Sequence, residues 1–597
     1  MAVLGAGSAW IASTALSSSK ARADIEARLS RLADAPVHID GRAEFRLLPK
    51  PRIDLTDVRA EIGRGERALD LDIDRVEARF DLVDALLGRV GIRQVVLIRP
   101  ELGLAQTTDR VLPAPLPPPA PAPAPAPAGN GVIAREAAEA TDRLRLFLSR
   151  FQGINELEIR DGLADLPDLR GPISNASVTL RWPEPAQAAE IEGSFVWNGQ
   201  PASVDLALAS PLRFMDGAPT PLSLTVASPM LAAAFEGTGA GGSVPRLEGS
   251  LRLSTPSLSR ALRWLGQAPI TTPDFGAFAI DTHLRLTGDS VALDAAALDL
   301  GGNEGRGLLE TTVFAGRPPL LSGTLAFRRL DFGALASAVA PRPRTPVDLQ
   351  RPFRTRFLHG IDLDLRLSAD EALFGDLQAT EVAAAAKIAG GLGAFDVSDM
   401  AVLGGRGQIR LAASAAAGSP RLRLSTSLRD IRVAGLSVLQ PDAFPLTAGT
   451  GSLDLAMEGP ACNWGALLGT GQSTLSLRVA DGTLLGLRRE DLGRAGEHQA
   501  TRTAELPFSQ LELKIGGQGS RLLVDELRLL TGAGTVNATG TVDATSGRMK
   551  LEGDYRATSL AAADPGAAFT SSKPVGLTLE GEWPDPVLVM GSAEKPM

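Results

Sequence analysis

Residues 37–63 read VHIDGRAEFRLLPKPRIDLTDVRAEIG. Apolar side chains fall at Val37, Ile39, Ala43, Phe45 and Leu47, then at Ile53 and Leu55, then at Val58, Ala60 and Ile62. A spacing of two marks a strand with one buried face. Pro49 and Pro51 interrupt it, as prolines do at a corner between strands, and the phase flips at Asp57. A slip of one residue sends later side chains to the other face unless a bulge absorbs it, and bulges bend and twist a sheet. The stretch therefore predicts a sheet that curves. LDLDIDRVEARFDL (69–82) repeats the pattern, its alternation slipping at Arg75.

Working outward, the period lengthens on the N-terminal side. In KARADIEARLSRLA (20–33), Ala21, Ile25, Leu29 and Leu32 fall on one face of an amphipathic helix. On the C-terminal side, LPAPLPPPAPAPAPAPAGNG (112–131) carries nine prolines between Pro113 and Pro127. It reads as an extended polyproline linker without a core, in preference to a Pro-rich recognition motif. VIAREAAEATDRLRLFLSRF (132–151) follows as a second amphipathic helix, with Ile133, Ala137, Ala140, Leu144, Phe147 and Phe151 in step. Both helices are expected to cover one end of the sheet, because an uncovered apolar edge invites aggregation.

From about Ile154 onward short alternating runs recur, among them SVDLALA, LEGSLRLS, IDLDLRLSA and STLSLRVADG, separated by Gly, Pro, Asp and Ser. They predict an all-β body of roughly thirty to forty strands over residues 152–590. LEGSLRLSTPSLSRALRWL (247–265) is similar to LSGTLAFRRLDFGALASAV (321–339), with Gly249 matching Gly323 and a short helical segment after each strand. This suggests a repeated strand-then-helix unit. The fold expected is mainly β: a long curved antiparallel sheet forming an apolar groove, with amphipathic helices near the N-terminal end.

A chain of 597 residues exceeds what one core needs. The net charge of −9 and the lack of any Lys/Arg-rich run argue against a nucleic-acid partner. Cys462 is the single cysteine and cannot make an internal disulfide. AVLGAGSAWIASTAL (2–16) is uncharged and mostly apolar but shorter than the roughly 20 residues of a membrane span. It is read as the outer half of a membrane anchor, with Val3, Leu4, Trp10, Ile11 and Leu16 as its apolar contacts.

A search for chemistry yields no catalytic, metal or cofactor set. His38 and His283 lie between apolar neighbours in alternating runs and read as polar-face strand residues. The Gly clusters lack dinucleotide or P-loop spacing and read as turns. Asp70, Asp72 and Asp74 have calcium-like spacing, but Arg75 stands where such a loop needs Gly, so they read as the acidic outer face of a strand. Alternation by itself leaves two arrangements open: apolar faces packed on each other, or an apolar face left open to lipid chains.

The first hundred residues resemble the AsmA family of bacterial envelope proteins. The resemblance rests on a helix followed by Pro36, Val37, Ile39 and Gly41, then on Leu47, Leu48, Pro49, Pro51, Ile53, Leu55, Asp57 and Val58. It continues through Leu86, Leu87, Gly88, Ile92, Val95, Leu97 and Pro100. At the far end, GQSTLSLRVADGTLLGL (471–487), with Asp481, Gly482, Leu484 and Gly486, and GEWPDPVLV (581–589) are similar to the family's C-terminal region. Pro36, Val37, Gly41, Leu48, Pro49, Pro51 and Asp57 are carried over as structural motif residues.

The resemblance implies no enzyme and no cofactor. It implies attachment to the bacterial inner membrane by a single N-terminal anchor, with most of the chain in the periplasm. It also implies a role in outer-membrane biogenesis through binding or conduction of phospholipid. The alternative is a non-enzymatic assembly or scaffold factor with an envelope protein partner. The organisation expected is a partial anchor (1–19), an AsmA-like N-terminal β domain (20–111), the linker (112–131), a helix plus repetitive β-groove body (132–440) and an AsmA-like C-terminal β domain (441–597).

Overall fold

The computed structural model describes residues 36–46, 51–62, 69–80, 92–104, 132–150, 154–166, 171–184, 186–266, 273–314, 316–415, 420–439, 444–557 and 574–591, with Ala23, Glu26, Ala27 and Ser30. The fold is mainly β, 65% strand and 13% helical, and its strands join in one thirty-stranded sheet. The chain divides into two compact units, the first holding residues 1–270, 276–301 and 310–317, the second residues 271–275, 302–309 and 318–597.

The first unit begins with β1 (Val37–Ile39), β2 (Ala43–Arg46), β3 (Arg52–Ile62), β4 (Leu69–Phe80) and β5 (Ile92–Leu104). Helix α1 (Val132–Arg150) leads to β6 (Glu156–Ala164), β7 (Ile173–Arg181), β8 (Ala189–Trp197) and β9 (Gln200–Leu208). Then come α2 (Pro211–Met215), β10 (Thr220–Ala227), β11 (Ala232–Ala240), β12 (Arg246–Thr255), α3 (Leu258–Trp264), β13 (Phe278–Thr287) and β14 (Ser290–Leu300). Strand β15 (Asn303–Thr312) has residues in both units.

The second unit continues with β16 (Leu320–Asp331), α4 (Phe332–Val339), β17 (Asp362–Phe374), β18 (Leu377–Ala389), β19 (Leu392–Val402), β20 (Gly405–Ser414), β21 (Arg421–Arg432) and β22 (Leu446–Pro460). After α5 (Trp464–Thr470) come β23 (Gln472–Gly486), β24 (Gly496–Gln499), β25 (Thr501–Gln518), β26 (Arg521–Thr531), β27 (Gly534–Asp543), β28 (Arg548–Ala557), β29 (Val575–Glu582) and β30 (Val587–Gly591). Residues 152–590 thus hold twenty-five strands, β6–β30, among the described residues. That is fewer than the thirty to forty expected, and β25 alone is 18 residues long.

Among the described pairings, neighbouring strands run antiparallel except at two places. β5 and β6 run parallel, joined through α1, and β16 and β17 run parallel, joined through α4 and two 3-10 turns. A parallel pair needs a long crossover, and each unit contains one.

The phase flip at Asp57 has a different cause from the expected bulge. Thr56 faces Arg75 and Val58 faces Ile73, so no residue is inserted between β3 and β4. Both strands change phase at the same level. Asp57 takes φ 53°, and Arg99, Asp161 and Asn175 take φ 50°, 54° and 50° on β5, β6 and β7. Asp and Asn tolerate this left-handed region better than other side chains. True register shifts occur elsewhere, as between Ile159 and Gly162 on β6.

The first strands close on a core of Val37, Ile39, Leu55, Val58, Ile73 and Val76. The edge strand β1 is capped by helical residues: the N–H groups of Ile39 and Val37 donate to Glu26 Oε1 and Ser30 Oγ, each at 2.9 Å. This is the edge protection expected of the first helix. Helix α1 lies elsewhere. Its first N–H groups, those of Ile133 and Ala134, donate to Asp289 Oδ1 at 2.8 and 3.3 Å. Thr141 Oγ1 accepts from Gly242 N at 3.3 Å, and Arg145 donates to the Met215 carbonyl at 2.9 Å. Asp289, Gly242 and Met215 all lie in connections at one end of β9–β14, so α1 borders those strand ends. The side chains of Leu144 and Phe147 lie outside the described residues.

The two similar segments both form strand then helix, β12 with α3 and β16 with α4. A Cβ on Gly249 would stand 2.6 Å from Gly237 Cα, and one on Gly323 would stand 3.0 Å from Leu309 Cα. The shared glycine thus serves a close approach of neighbouring strands in both copies.

Candidate apolar binding face

Strand register turns the alternation into rows that cross each unit. In the first unit one row runs through Ile53, Ala78, Val95, Leu157, Leu180, Ile191, Leu206, Leu224, Phe235 and Leu251, each directly opposite the next. The next row runs through Val76, Leu97, Ile159, Val178, Gly193, Val204, Val226, Ala233, Leu253 and Ile280. No charged side chain interrupts either row.

Burial along the rows is uneven. Val76 is 8% exposed and Ile280 7%, but from Leu97 to Leu253 the second row is half-buried throughout, as is the first row from Val95 to Leu224. A face packed on a second sheet buries its middle strands most completely. Here both rows are half-buried over β5–β10, and Phe235 on β11 is the first buried residue beyond.

The second unit repeats the arrangement. One row runs through Leu367, Ala384, Val397, Ile409, Thr426, Leu455, Leu475 and Ile515. Val397 is wholly buried, whereas Ile409, Thr426, Leu455, Leu475 and Ile515 are half-buried. The row continues through Val524, Gly540, Leu551, Leu579 and Leu588, and there Val524, Leu551 and Leu588 are buried.

Short helices border these faces. Trp264 of α3 meets Trp197 of β8 edge-on at 5.0 Å between ring centroids and donates its indole N–H to the Trp197 carbonyl at 2.9 Å. Phe332, opening α4, lies 5.0 Å from Phe374 and 4.7 Å from Phe395.

The opposite face is ionic. Directly paired residues form ion pairs across strands: Arg59 with Asp72 at 2.9 Å, Arg252 with Asp281 at 3.3 Å, Arg423 with Glu458 at 2.7 Å and Lys514 with Glu526 at 2.7 Å. Asp74 pairs with Arg99 at 2.6 Å. The acidic run Asp72–Asp74 is therefore bound up in cross-strand pairs. His38 and His283 are exposed, as polar-face residues should be. Exposed pairs of this kind add little to stability, so their main effect is on register and on keeping this face wet. The Arg429 guanidinium holds the Asp454 carboxyl below its ordinary range, and Arg423 and Arg421 do the same for Glu458.

Of the motif residues, Val37 is buried at 6% and Pro51 is also buried, at the start of β3. Pro36 is exposed, and its carbonyl accepts from Glu61 N at 3.3 Å. Gly41 and Asp57 meet: Asp40 N donates to the Asp57 carbonyl at 2.9 Å, and a Cβ on Gly41 would stand 2.6 Å from Asp57 Oδ2. Leu48, Pro49 and the anchor residues Val3, Leu4, Trp10, Ile11 and Leu16 lie outside the described residues. Among the described residues no helix is long and apolar enough to cross a membrane, and no group of three His, Cys, Asp or Glu is placed to hold a metal.

Sequence reasoning missed where the apolar face is covered and where it is not. Alternation assigns a face to each side chain but says nothing of what lies over it. Comparison with known proteins gave no match to a family model, a curated protein or a solved structure.

Proposed function

We propose that the chain binds or conducts phospholipid, as an AsmA-like protein anchored in the inner membrane with its sheet in the periplasm, serving outer-membrane biogenesis and lipid homeostasis. The observation that supports this is the pair of uncharged apolar rows, half-buried together over β5–β10, one of them as far as β12. Half-covered leucine and valine side chains in register offer a surface to an acyl chain without demanding ordered polar contacts. Covering a methylene is worth about 0.8 kcal/mol, so eight methylenes supply about 6 kcal/mol before the cost of immobilising the chain.

The test is lipid content. The chain is expressed in a bacterial periplasm, purified without detergent, extracted with organic solvent and analysed by mass spectrometry. Several phospholipids per chain are the expected result. A folded, lipid-free monomer overturns the reading and favours a scaffold that acts through protein contacts.

A further inference from the structure

The connection between β23 and β25 differs from the other described hairpin links of the second unit. Four of its residues form β24, which pairs with neither flanking strand but with β30: Gly496 faces Met590, Glu497 Val589, His498 Leu588 and Gln499 Val587. Beyond the ladder, Ala500 N donates to the Pro586 carbonyl at 3.0 Å and Gln499 Nε2 to the Asp585 carbonyl at 2.9 Å. Gly486, at φ 111°, ends β23 where the link leaves it, and Gly496, at φ 128°, opens β24. Leu492 anchors it at 2% exposure. His498 Nε2 lies 3.0 Å from the Arg494 carbonyl and Nδ1 lies 3.6 Å from Asp491 Oδ1.

The residues behind this segment are packed. Leu506 is wholly buried, and Leu588 and Met590 are each 2% exposed. β30 pairs with β29 on one side and β24 on the other, so β24 occupies an edge that would otherwise present free backbone groups. The half-buried run from Ile409 to Ile515 thus gives way to a packed end.

We propose that β24 is a strap that closes the C-terminal end of the apolar face, so that acyl chains lie over β20–β25 and stop short of β28–β30. This rests on the lipid-binding reading above. The strap determines where along the sheet a lipid can go: while it is in place, the face beyond β25 is filled by the chain's own side chains.

The test is photo-crosslinking in cells labelled with ³²P-orthophosphate, using the full chain with benzoylphenylalanine at Leu455, Leu475 or, in separate variants, Leu579. Leu579 belongs to the same row but lies on β29, and it is half-buried, so the bulky residue can be accommodated. Labelled phospholipid adducts at Leu455 and Leu475 and none at Leu579 are expected. The Ala500 N–H points at β30, so two residues earlier the His498 N–H does too, and His498→Pro removes it. In that variant an adduct at Leu579 is expected. Leu492→Ala loosens the same segment without touching a backbone bond and serves if the proline variant does not fold. Equal adducts at Leu455 and Leu579 in the unaltered chain overturn the strap. So does a Leu579 site that stays unlabelled when hydrogen exchange shows β30 released. No adduct at any position overturns the lipid-binding reading itself.

Discussion

Asp57 sits at φ 53° in the middle of an eleven-residue strand. A β-branched side chain there pays roughly 1–2 kcal/mol of backbone strain that glycine escapes. Asp57→Val is expected to lower the stability of the first unit by about that amount, whereas Asp57→Gly leaves it level or raises it. Hydrogen exchange across β3 and β4 checks this, and equal protection in the two variants would remove the backbone explanation. The aspartate was visible in the sequence as the point of phase change. That the facing strand changes phase at the same level was not, because register is a property of two strands and Arg75 lies eighteen residues on. At the ionic face, Asp454 and Glu458 titrate below their ordinary values of 3.8 and 4.5 because of their arginine partners. A carboxyl with a depressed folded-state value adds stability above its unfolded value, and this is lost as pH falls through the folded one. The melting temperature should therefore fall as pH drops below about 4. Arg423→Ala and Arg429→Ala should flatten that fall, modestly, since both pairs are exposed.

Helix α1 shows what an element can and cannot announce. Its apolar spacing is plain in residues 132–151, and the helix is there. Its partner is an aspartate more than 150 residues away, in the turn between β13 and β14. No local rule could supply that, since an N-cap is normally sought just ahead of the helix. Asp289→Ala leaves two N–H groups of α1 without their acceptor and should cost about 1 kcal/mol. The expected readout is faster amide exchange at the start of α1 with β6–β8 unchanged; unaltered exchange at Ile133 and Ala134 would show that the cap contributes nothing. The parallel pairs β5 with β6 and β16 with β17 were likewise illegible, because a strand alternates in the same way whether its neighbour runs with it or against it. Pro507 illustrates a rule that misleads. It lies within β25, where proline should end a strand, but β26 begins to pair only at Phe508, so no ladder with β26 is broken.

At the scale of the molecule, each unit carries an apolar face that is covered in some stretches and half-covered in others, and the coverage separates two roles for chemically similar residues. Leu529, at 4% exposure, is part of a packed core; Leu180 and Leu206, half-buried on β7 and β9, are not. A carboxylate at Leu529 has no water to solvate it, and Leu529→Asp should cost at least about 3 kcal/mol and unfold the C-terminal strands. Leu180→Asp together with Leu206→Asp leaves each new carboxylate in contact with solvent, so the melting temperature should drop only slightly. The same pair interrupts the row where an acyl chain would lie, so phospholipid recovered per chain should fall. Melting curves and lipid extraction on the three proteins separate the cases. If the double variant folds and keeps its full lipid load, the half-covered row of β5–β10 is not where lipid sits. If it unfolds as Leu529→Asp does, that row is core, and its partial exposure has no functional meaning.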